Sequence, residues 1–353
     1  MTPALSPGVD AFPASAFVEA LRPSLLWGVA FIHEARAALP GLAGAARLLA
    51  DAGEPVVLVC VACCAFWLSG AKRGLSLALA PLAADALARH LAGTLRVPPP
   101  FVLEPGINLV SGSGFAFPSS HAAAVSVFFM VFFLARRGVA GPATLIAGGA
   151  ARSGSAARAA RALRARNVLC AIAFPLPFLL ARVYLGAANP ADVLAGALLG
   201  ASLFCLDRFA GRPLASMVSG RLSDYPPAAL RNARLLAASG LALALNAVTR
   251  DGSTGGMAFG LCAGYALSRE RDAEGGSAEE TRARVPTARS AFARSLALLV
   301  GLATLALILV PLGRVLPGKE HAQYGLFRFA RFSLAGFWSA YAVPRLFTKT
   351  SSI

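Results

Sequence analysis

The chain alternates between long apolar stretches and shorter segments that carry most of its charged side chains. A helix that crosses a bilayer needs about 20 largely apolar residues, and fewer suffice when the helix packs inside a bundle. Nine stretches of the chain fit this description. They cover residues 55–69, 74–95, 121–135, 167–183, 191–206, 234–249, 256–268, 295–313 and 326–343. The pattern therefore predicts an all-α fold, a polytopic transmembrane helical bundle with about nine spans.

The N-terminal part of the chain has a different pattern. Residues 14–50 mix apolar positions with arginine and glutamate, which is typical of amphipathic helices that lie at a membrane interface. A short additional span near Leu25–Ile32 remains an alternative. The whole pattern predicts five parts: an interfacial segment (1–54), a transmembrane core (55–206), additional transmembrane helices (207–268), a polar cytoplasmic linker (269–294) and a two-helix transmembrane tail (295–353).

The composition excludes a soluble globular protein. Hydrophobic residues make up 57% of the chain and charged residues only 14%, whereas a soluble domain carries about 25% charged residues. The formal net charge of +16 would suggest nucleic-acid binding in a soluble protein. Here the arginines lie in the loops between apolar stretches, so we expect a membrane partner and no nucleic acid.

The distribution of these arginines predicts an orientation. Loop 136–166 holds seven arginines and no acidic residue, and the positive-inside rule places such loops in the cytoplasm. Segments 96–120, 184–190, 250–255 and 314–325 then lie on the outer face. We expect a bacterial inner (cytoplasmic) membrane protein.

The segment that ends in His121 is the first candidate for chemistry. Pro118 suits the start of a helix, and Ser119 or Ser120 can cap it. The free backbone N–H groups of a helix N-terminus bind phosphate well, and a histidine there can donate a proton to a leaving oxygen. The alternative is a capped helix with an interfacial histidine of no chemical role.

A second candidate segment follows at residues 181–196. Arg182 ends one apolar stretch and Asp192 begins the next, so the predicted topology places both on the same face as His121. An arginine can bind a phosphate group through two parallel hydrogen bonds. The alternative is a snorkelling arginine and an aspartate that interacts with a helix dipole.

In order and spacing, these segments resemble the type 2 phosphatidic acid phosphatase (PAP2) family of membrane lipid-phosphate phosphatases. The family motifs are Lys-x6-Arg-Pro, Pro-Ser-Gly-His and Ser-Arg-x5-His-x3-Asp. Residues 118–121 are similar to the second motif, and residues 182–192 have the spacing of the third. The resemblance implies hydrolysis of a phosphorylated lipid without a metal or other cofactor. It assigns the proton donor to His121, a charge-stabilising role to Asp192, and phosphate binding to Arg182, Ser119 and Ser120.

The chain departs from these motifs at the position that matters most. The family's third-motif histidine attacks phosphorus, and the corresponding residue here is Ala188. In the first motif, an alignment on Pro100-Phe101 puts uncharged residues at both cation positions. Arg89 and Arg96 have the right spacing three residues earlier, and Arg96 is kept as a candidate phosphate ligand.

Three hypotheses follow. The first is an inactive or weakly active phosphatase-like protein that still binds a phosphorylated lipid. The second is an active phosphatase with a substitute nucleophile, either His321, which has Lys319 nearby, or water with His121 as the base. The third is a lipid transporter or membrane assembly scaffold. An open cavity beside Ala188 would favour binding, and a filled one would favour the scaffold. The sequence determines neither the lipid nor the oligomeric state.

Overall fold

The computed structural model describes most of the chain, namely residues 16–69, 71–110, 114–135, 154–222, 225–250, 252–274, 288–317 and 320–345. Every regular element in these ranges is a helix. Residues 136–153 of the basic loop, residues 275–287 of the predicted linker and Lys319 lie outside them. The prediction of an all-helical, polytopic membrane protein is confirmed.

The helices follow the apolar stretches along the sequence. Fourteen are labelled here: α1 (Ala16–Ala38), α2 (Ala43–Ala52), α3 (Pro55–Ser69), α4 (Ala71–Leu95), α5 (Ser120–Leu134), α6 (Gly154–Ala173), α7 (Leu176–Tyr184), α8 (Pro190–Leu206), α9 (Arg212–Arg221), α10 (Pro227–Thr249), α11 (Ser253–Glu274), α12 (Ala288–Leu309), α13 (Pro311–Val315) and α14 (Tyr324–Phe337). Two π-helical segments, Asp207–Gly211 and Trp338–Ala342, continue α8 and α14.

The predicted count of nine spans is not confirmed. Five helical stretches among the described residues are long and apolar enough to cross a membrane, or six if α2 and α3, which meet at an angle of 56°, form one broken span. The five are Ala71–Leu103, Arg158–Tyr184, Pro190–Arg221, Ala228–Thr249 and Leu298–Val315. Helix α5 is apolar but only 15 residues long. The count of nine therefore stays a prediction, and five or six spans meet the criteria of length and apolar composition among the described residues.

The structure divides into two compact units, and the first comprises residues 1–58 and 83–208. In this unit α5 packs closely against α8. A side chain at Gly196 would collide with the carbonyl oxygen of Ser119, and one at Gly200 would collide with that of Ala123. Small residues let two helix backbones approach each other in this way. The contact holds the start of α5 next to the first turns of α8.

A second set of contacts in this unit joins α1 and α2 to the end of α7 and to the loop around Ile107. Buried alanines of α2 pack against the end of α7. The guanidinium of Arg36, on α1, donates hydrogen bonds to the carbonyl oxygens of Tyr184 (2.8 Å) and Ile107 (2.5 Å). Gly186 has a positive φ of 71°, and a side chain there would meet the same Ile107 carbonyl. These contacts fix the turn that follows Arg182.

The second unit comprises residues 59–82 and 209–353. Its main contact is between α11 and α14, where Gly256 and Gly260 lie against the backbone of α14 at Phe329 and Ser333. The indole N–H of Trp67 donates a hydrogen bond of 2.8 Å to the carbonyl oxygen of Ser339. Close glycine contacts of this kind let two helix backbones pack directly against each other.

Candidate functional site

The first unit contains a cavity of about 400 Å³ at the ends of several helices. Its walls come from the turn between α2 and α3, the second half of α4, the loop before α5, the start of α5 and the turn after α7. The polar side chains that line it are Glu54, Asp85, Arg89, Ser119, Ser120, His121 and Arg182, and Ala187 and Ala188 line it as well. The cavity therefore joins both segments that the sequence singles out.

The start of α5 has the cap that the sequence predicts. Ser119 is the N-cap residue, and its hydroxyl accepts a hydrogen bond of 3.3 Å from the backbone N–H of Ala122. Its own N–H donates to the carbonyl oxygen of Asp192 at 3.0 Å, which ties the start of α5 to the first turn of α8. His121 follows one residue into α5 and is only 4% exposed.

Glu54 lies between His121 and Arg182. Its Oε1 is 3.8 Å from Nδ1 of His121 and 3.8 Å from Nη1 of Arg182. Both distances are longer than a hydrogen bond, so the contact is electrostatic. The backbone of Gly53 lies against the imidazole, because a Cβ there would be 2.6 Å from Cε1 and Nε2 of His121.

A second pair of charges lies on α4. Asp85 is 1% exposed, and its Oδ2 is 2.9 Å from Nε of Arg89. Residues four apart lie on the same face of a helix, which explains the pairing. Arg89 and Arg182 give the cavity two permanent cations that can bind a phosphate group, and His121 adds a group that can hold or donate a proton.

Five of the predicted site positions line the cavity, and two do not. Ser119, Ser120, His121, Arg182 and Ala188 come together as described above.

Arg96 and Asp192 are not among the described lining residues. Arg96 is exposed, and its Nε donates to the carbonyl oxygen of Gly93 at 3.4 Å. Asp192 is fully buried, and its Oδ2 accepts a hydrogen bond of 2.8 Å from the backbone N–H of Asn189. Asp192 thus satisfies a free N–H group at the start of α8, and the carboxylate next to Arg182 belongs to Glu54. The roles predicted for these two residues stay predictions.

Sequence reasoning missed Glu54 and Asp85, and it favoured Arg96 over Arg89. Asp85 and Arg89 carried a signal, because two charged residues four apart inside an apolar stretch indicate a functional pair. The sequence gives little indication of a role for Glu54, since it lies at the boundary between the predicted interfacial segment and the first predicted span. Its role becomes visible only when α2 and α3 are folded.

His321, the predicted substitute nucleophile, belongs to the second unit. Its ring is exposed, and Nδ1 accepts a hydrogen bond of 3.1 Å from the backbone N–H of Gln323. In the part of the chain that the structure describes, no group of three or more histidine, cysteine or carboxylate side chains is arranged to hold a metal ion.

Comparison with known protein families gives two matches. The PAP2 superfamily matches residues 70–207, which include the walls of the cavity from Asp85 onward. The family described as "PAP2 superfamily phosphatase, transmembrane extension" matches residues 252–352, which include α11 and α14. No curated protein and no solved structure matches the chain. Together the two matches cover more than half of the chain, and with the motifs around His121 and Arg182 they show that it belongs to the PAP2 superfamily of membrane phosphatases.

Proposed function

We propose that this protein binds phosphorylated lipids in the cavity of the first unit and hydrolyses them weakly or not at all. The observation that carries the proposal is the space beside Ala188. Ala188, Arg182 and His121 all line the cavity of about 400 Å³. A scaffold without a ligand would have no need to keep these polar groups around an open space.

The binding half of the proposal rests on the charges in the cavity. Arg182 is only partly exposed, and its Nε is buried without a hydrogen-bond partner among the described residues. A buried donor without a partner is costly, and a phosphate oxygen would satisfy it. The backbone N–H groups at the start of α5 supply further donors and the positive end of a helix dipole.

The weak activity rests on the nucleophile. Ala188 has no group that can attack phosphorus, and His121 is the only histidine among the described residues that line the cavity. Removal of a covalent nucleophile from an enzyme lowers its rate by orders of magnitude, although binding and electrostatics leave some catalysis. We therefore expect a lipid-phosphate site in which the covalent step of the family is lost.

A second candidate function is slow hydrolysis by water. The Glu54 carboxylate next to Nδ1 of His121 favours it, because a carboxylate can orient an imidazole that acts as a general base. In this mechanism His121 takes a proton from water as the water oxygen attacks phosphorus. The bond from phosphorus to the leaving oxygen breaks, and the imidazolium returns the proton to that oxygen, which belongs to a lipid alcohol or, for a diphosphate, to a lipid monophosphate. The reaction would be phosphomonoester or diphosphate hydrolysis at the outer face of a bacterial inner membrane.

Two measurements on the purified full-length protein test the proposal. The first is phosphate release from phosphatidic acid, phosphatidylglycerol phosphate and a polyprenyl diphosphate, with His121→Ala as the matched control and Ala188→His as the variant that returns a nucleophile. The second is binding of the same lipids by the unmodified protein and by Arg182→Gln.

We expect release at the His121→Ala background and binding that falls about tenfold in Arg182→Gln, which corresponds to about 1.4 kcal/mol. Release well above that background overturns the claim of weak activity and supports the water mechanism. Equal binding by the unmodified protein and Arg182→Gln overturns the claim that the cavity is a lipid-phosphate site. A rise in release in Ala188→His shows that the cavity admits the phosphate group.

A further inference from the structure

The charged side chains of the cavity are balanced in a way that a simple phosphate site would not require. Among the described lining residues there are two arginines, Arg89 and Arg182, and two carboxylates, Asp85 and Glu54. With His121 neutral, their formal charges cancel. A cavity suited to a headgroup that carries only negative charge would present an excess of cations, because each buried carboxylate repels such a ligand.

The two carboxylates differ in what they face. Asp85 is buried and lies 2.9 Å from Arg89, so the two groups already neutralise each other. The side chain of Glu54 is 48% exposed, lines the cavity, and has only the longer 3.8 Å contacts to His121 and Arg182. Glu54 is therefore the carboxylate that a ligand meets when its phosphate approaches Arg182.

The backbone around Glu54 holds this carboxylate near the cations. The N–H of Glu54 donates to the carbonyl oxygen of Asp51 at 3.1 Å, and its carbonyl oxygen accepts from Leu58 at 3.0 Å. Gly53 lies directly against the ring of His121. A phosphate bound by Arg182 thus has the Glu54 carboxylate as its neighbour, since Oε1 of Glu54 is 3.8 Å from Nη1 of Arg182.

We propose that Glu54 is a specificity-determining residue that makes the cavity selective for a lipid headgroup with an ammonium group beside its phosphate. The phosphate is bound by Arg182 and the start of α5, and the ammonium is bound by the Glu54 carboxylate. Such a headgroup leaves the charges of the cavity balanced. A headgroup without the ammonium leaves the Glu54 carboxylate without a cation of the ligand beside it, so it binds less tightly. This inference rests on the proposed lipid-binding function and names the chemical class of the ligand.

The test compares two lipids that share a phosphodiester and differ in the ammonium group. Binding of phosphatidylethanolamine and of phosphatidylglycerol is measured by titration into the full-length protein in detergent. The variants are Glu54→Gln, Arg182→Gln and Glu104→Gln. Glu104 is the matched control, because it is a half-exposed glutamate of the same unit that contacts His33 at 2.8 Å and is not among the described lining residues.

We expect the unmodified protein and Glu104→Gln to bind phosphatidylethanolamine about tenfold more tightly than phosphatidylglycerol. Glu54→Gln should weaken phosphatidylethanolamine and strengthen phosphatidylglycerol, so that the preference disappears or reverses. If Glu54→Gln strengthens both lipids equally, Glu54 only competes with phosphate and the inference is overturned. An unmodified protein that prefers phosphatidylglycerol overturns it as well.

Failure of the underlying function has a different signature. Arg182→Gln removes the phosphate ligand itself, so it should weaken both lipids to a similar degree. If it weakens neither, the cavity is not a lipid-phosphate site, whatever Glu54→Gln does. If it weakens both while Glu54→Gln changes nothing, lipid-phosphate binding stands and only the selectivity for an ammonium group is wrong.

Discussion

Replacement of Gly53 by alanine should disturb the candidate site through a single methyl group. The backbone of Gly53 has φ −85° and ψ −2°, values that alanine adopts without strain. The added Cβ would lie 2.6 Å from Cε1 and Nε2 of His121 and 3.1 Å from Cγ2 of Val125. Any effect of the substitution must therefore come from the contact with these side chains.

The size of the effect follows from this distance. An ordinary contact needs at least about 3.4 Å, so the imidazole or the α2–α3 turn must move by nearly 1 Å. Overpacking of this kind costs about 1–3 kcal/mol. The movement also separates His121 and Glu54 from Arg182, so we expect lipid binding to fall about tenfold, which corresponds to about 1.4 kcal/mol.

Gly44→Ala is the matched control, because nothing lies within 4 Å of a Cβ at Gly44. Alanine there should raise the stability of α2 by up to about 1 kcal/mol through its higher helix propensity. The assay is thermal unfolding in detergent together with phosphatidic acid binding. Equal melting temperatures and equal affinities for the two variants would refute the close packing of Gly53 on His121.

Three further substitutions test contacts inside the units, two of them in the first unit and one in the second. Gly196→Ala should lower the free energy of unfolding by about 1–3 kcal/mol, because its Cβ collides with the carbonyl oxygen of Ser119; Gly240→Ala, where a Cβ meets nothing within 4 Å, should not lower it. Arg36→Gln should cost about 1–3 kcal/mol, since two carbonyl oxygens lose a charged donor. Trp67→Phe should cost about 1 kcal/mol, because the carbonyl oxygen that accepts its indole N–H loses that donor. Denaturant or thermal unfolding checks all three, and unchanged midpoints would show that these contacts do not stabilise the fold.

The helices were predictable because their signal is local. Long apolar stretches and the Pro118–Ser119 start of α5 depend on neighbouring residues only, and the structure has Ser119 at the cap. The number of spans stays a prediction, because length and apolar composition identify five or six candidates among the described residues where the sequence pattern predicts nine. Glycines such as Gly260 bury backbone against a neighbouring helix, and a hydropathy scale does not register this contact.

The candidate site was predictable only in part. The spacing of the His121 and Arg182 segments, together with the family resemblance, was enough to suggest that they meet. The position of Glu54 beside both depends on how α2 and α3 meet, which is a tertiary property. Asp192 is a different case, because the structure has it at the start of α8, where it accepts a hydrogen bond from the backbone N–H of Asn189.

Several contacts around the cavity of the first unit are made by main-chain atoms alone. The backbone N–H groups of Ser119, Leu109 and Ala116 donate hydrogen bonds to the carbonyl oxygens of Asp192, Leu185 and Val97, respectively. None of these bonds depends on the identity of a side chain. A substitution at Ala188 can therefore remove or return a reactive group without dismantling the walls around it. The chemistry of such a site is free to diverge while its architecture persists.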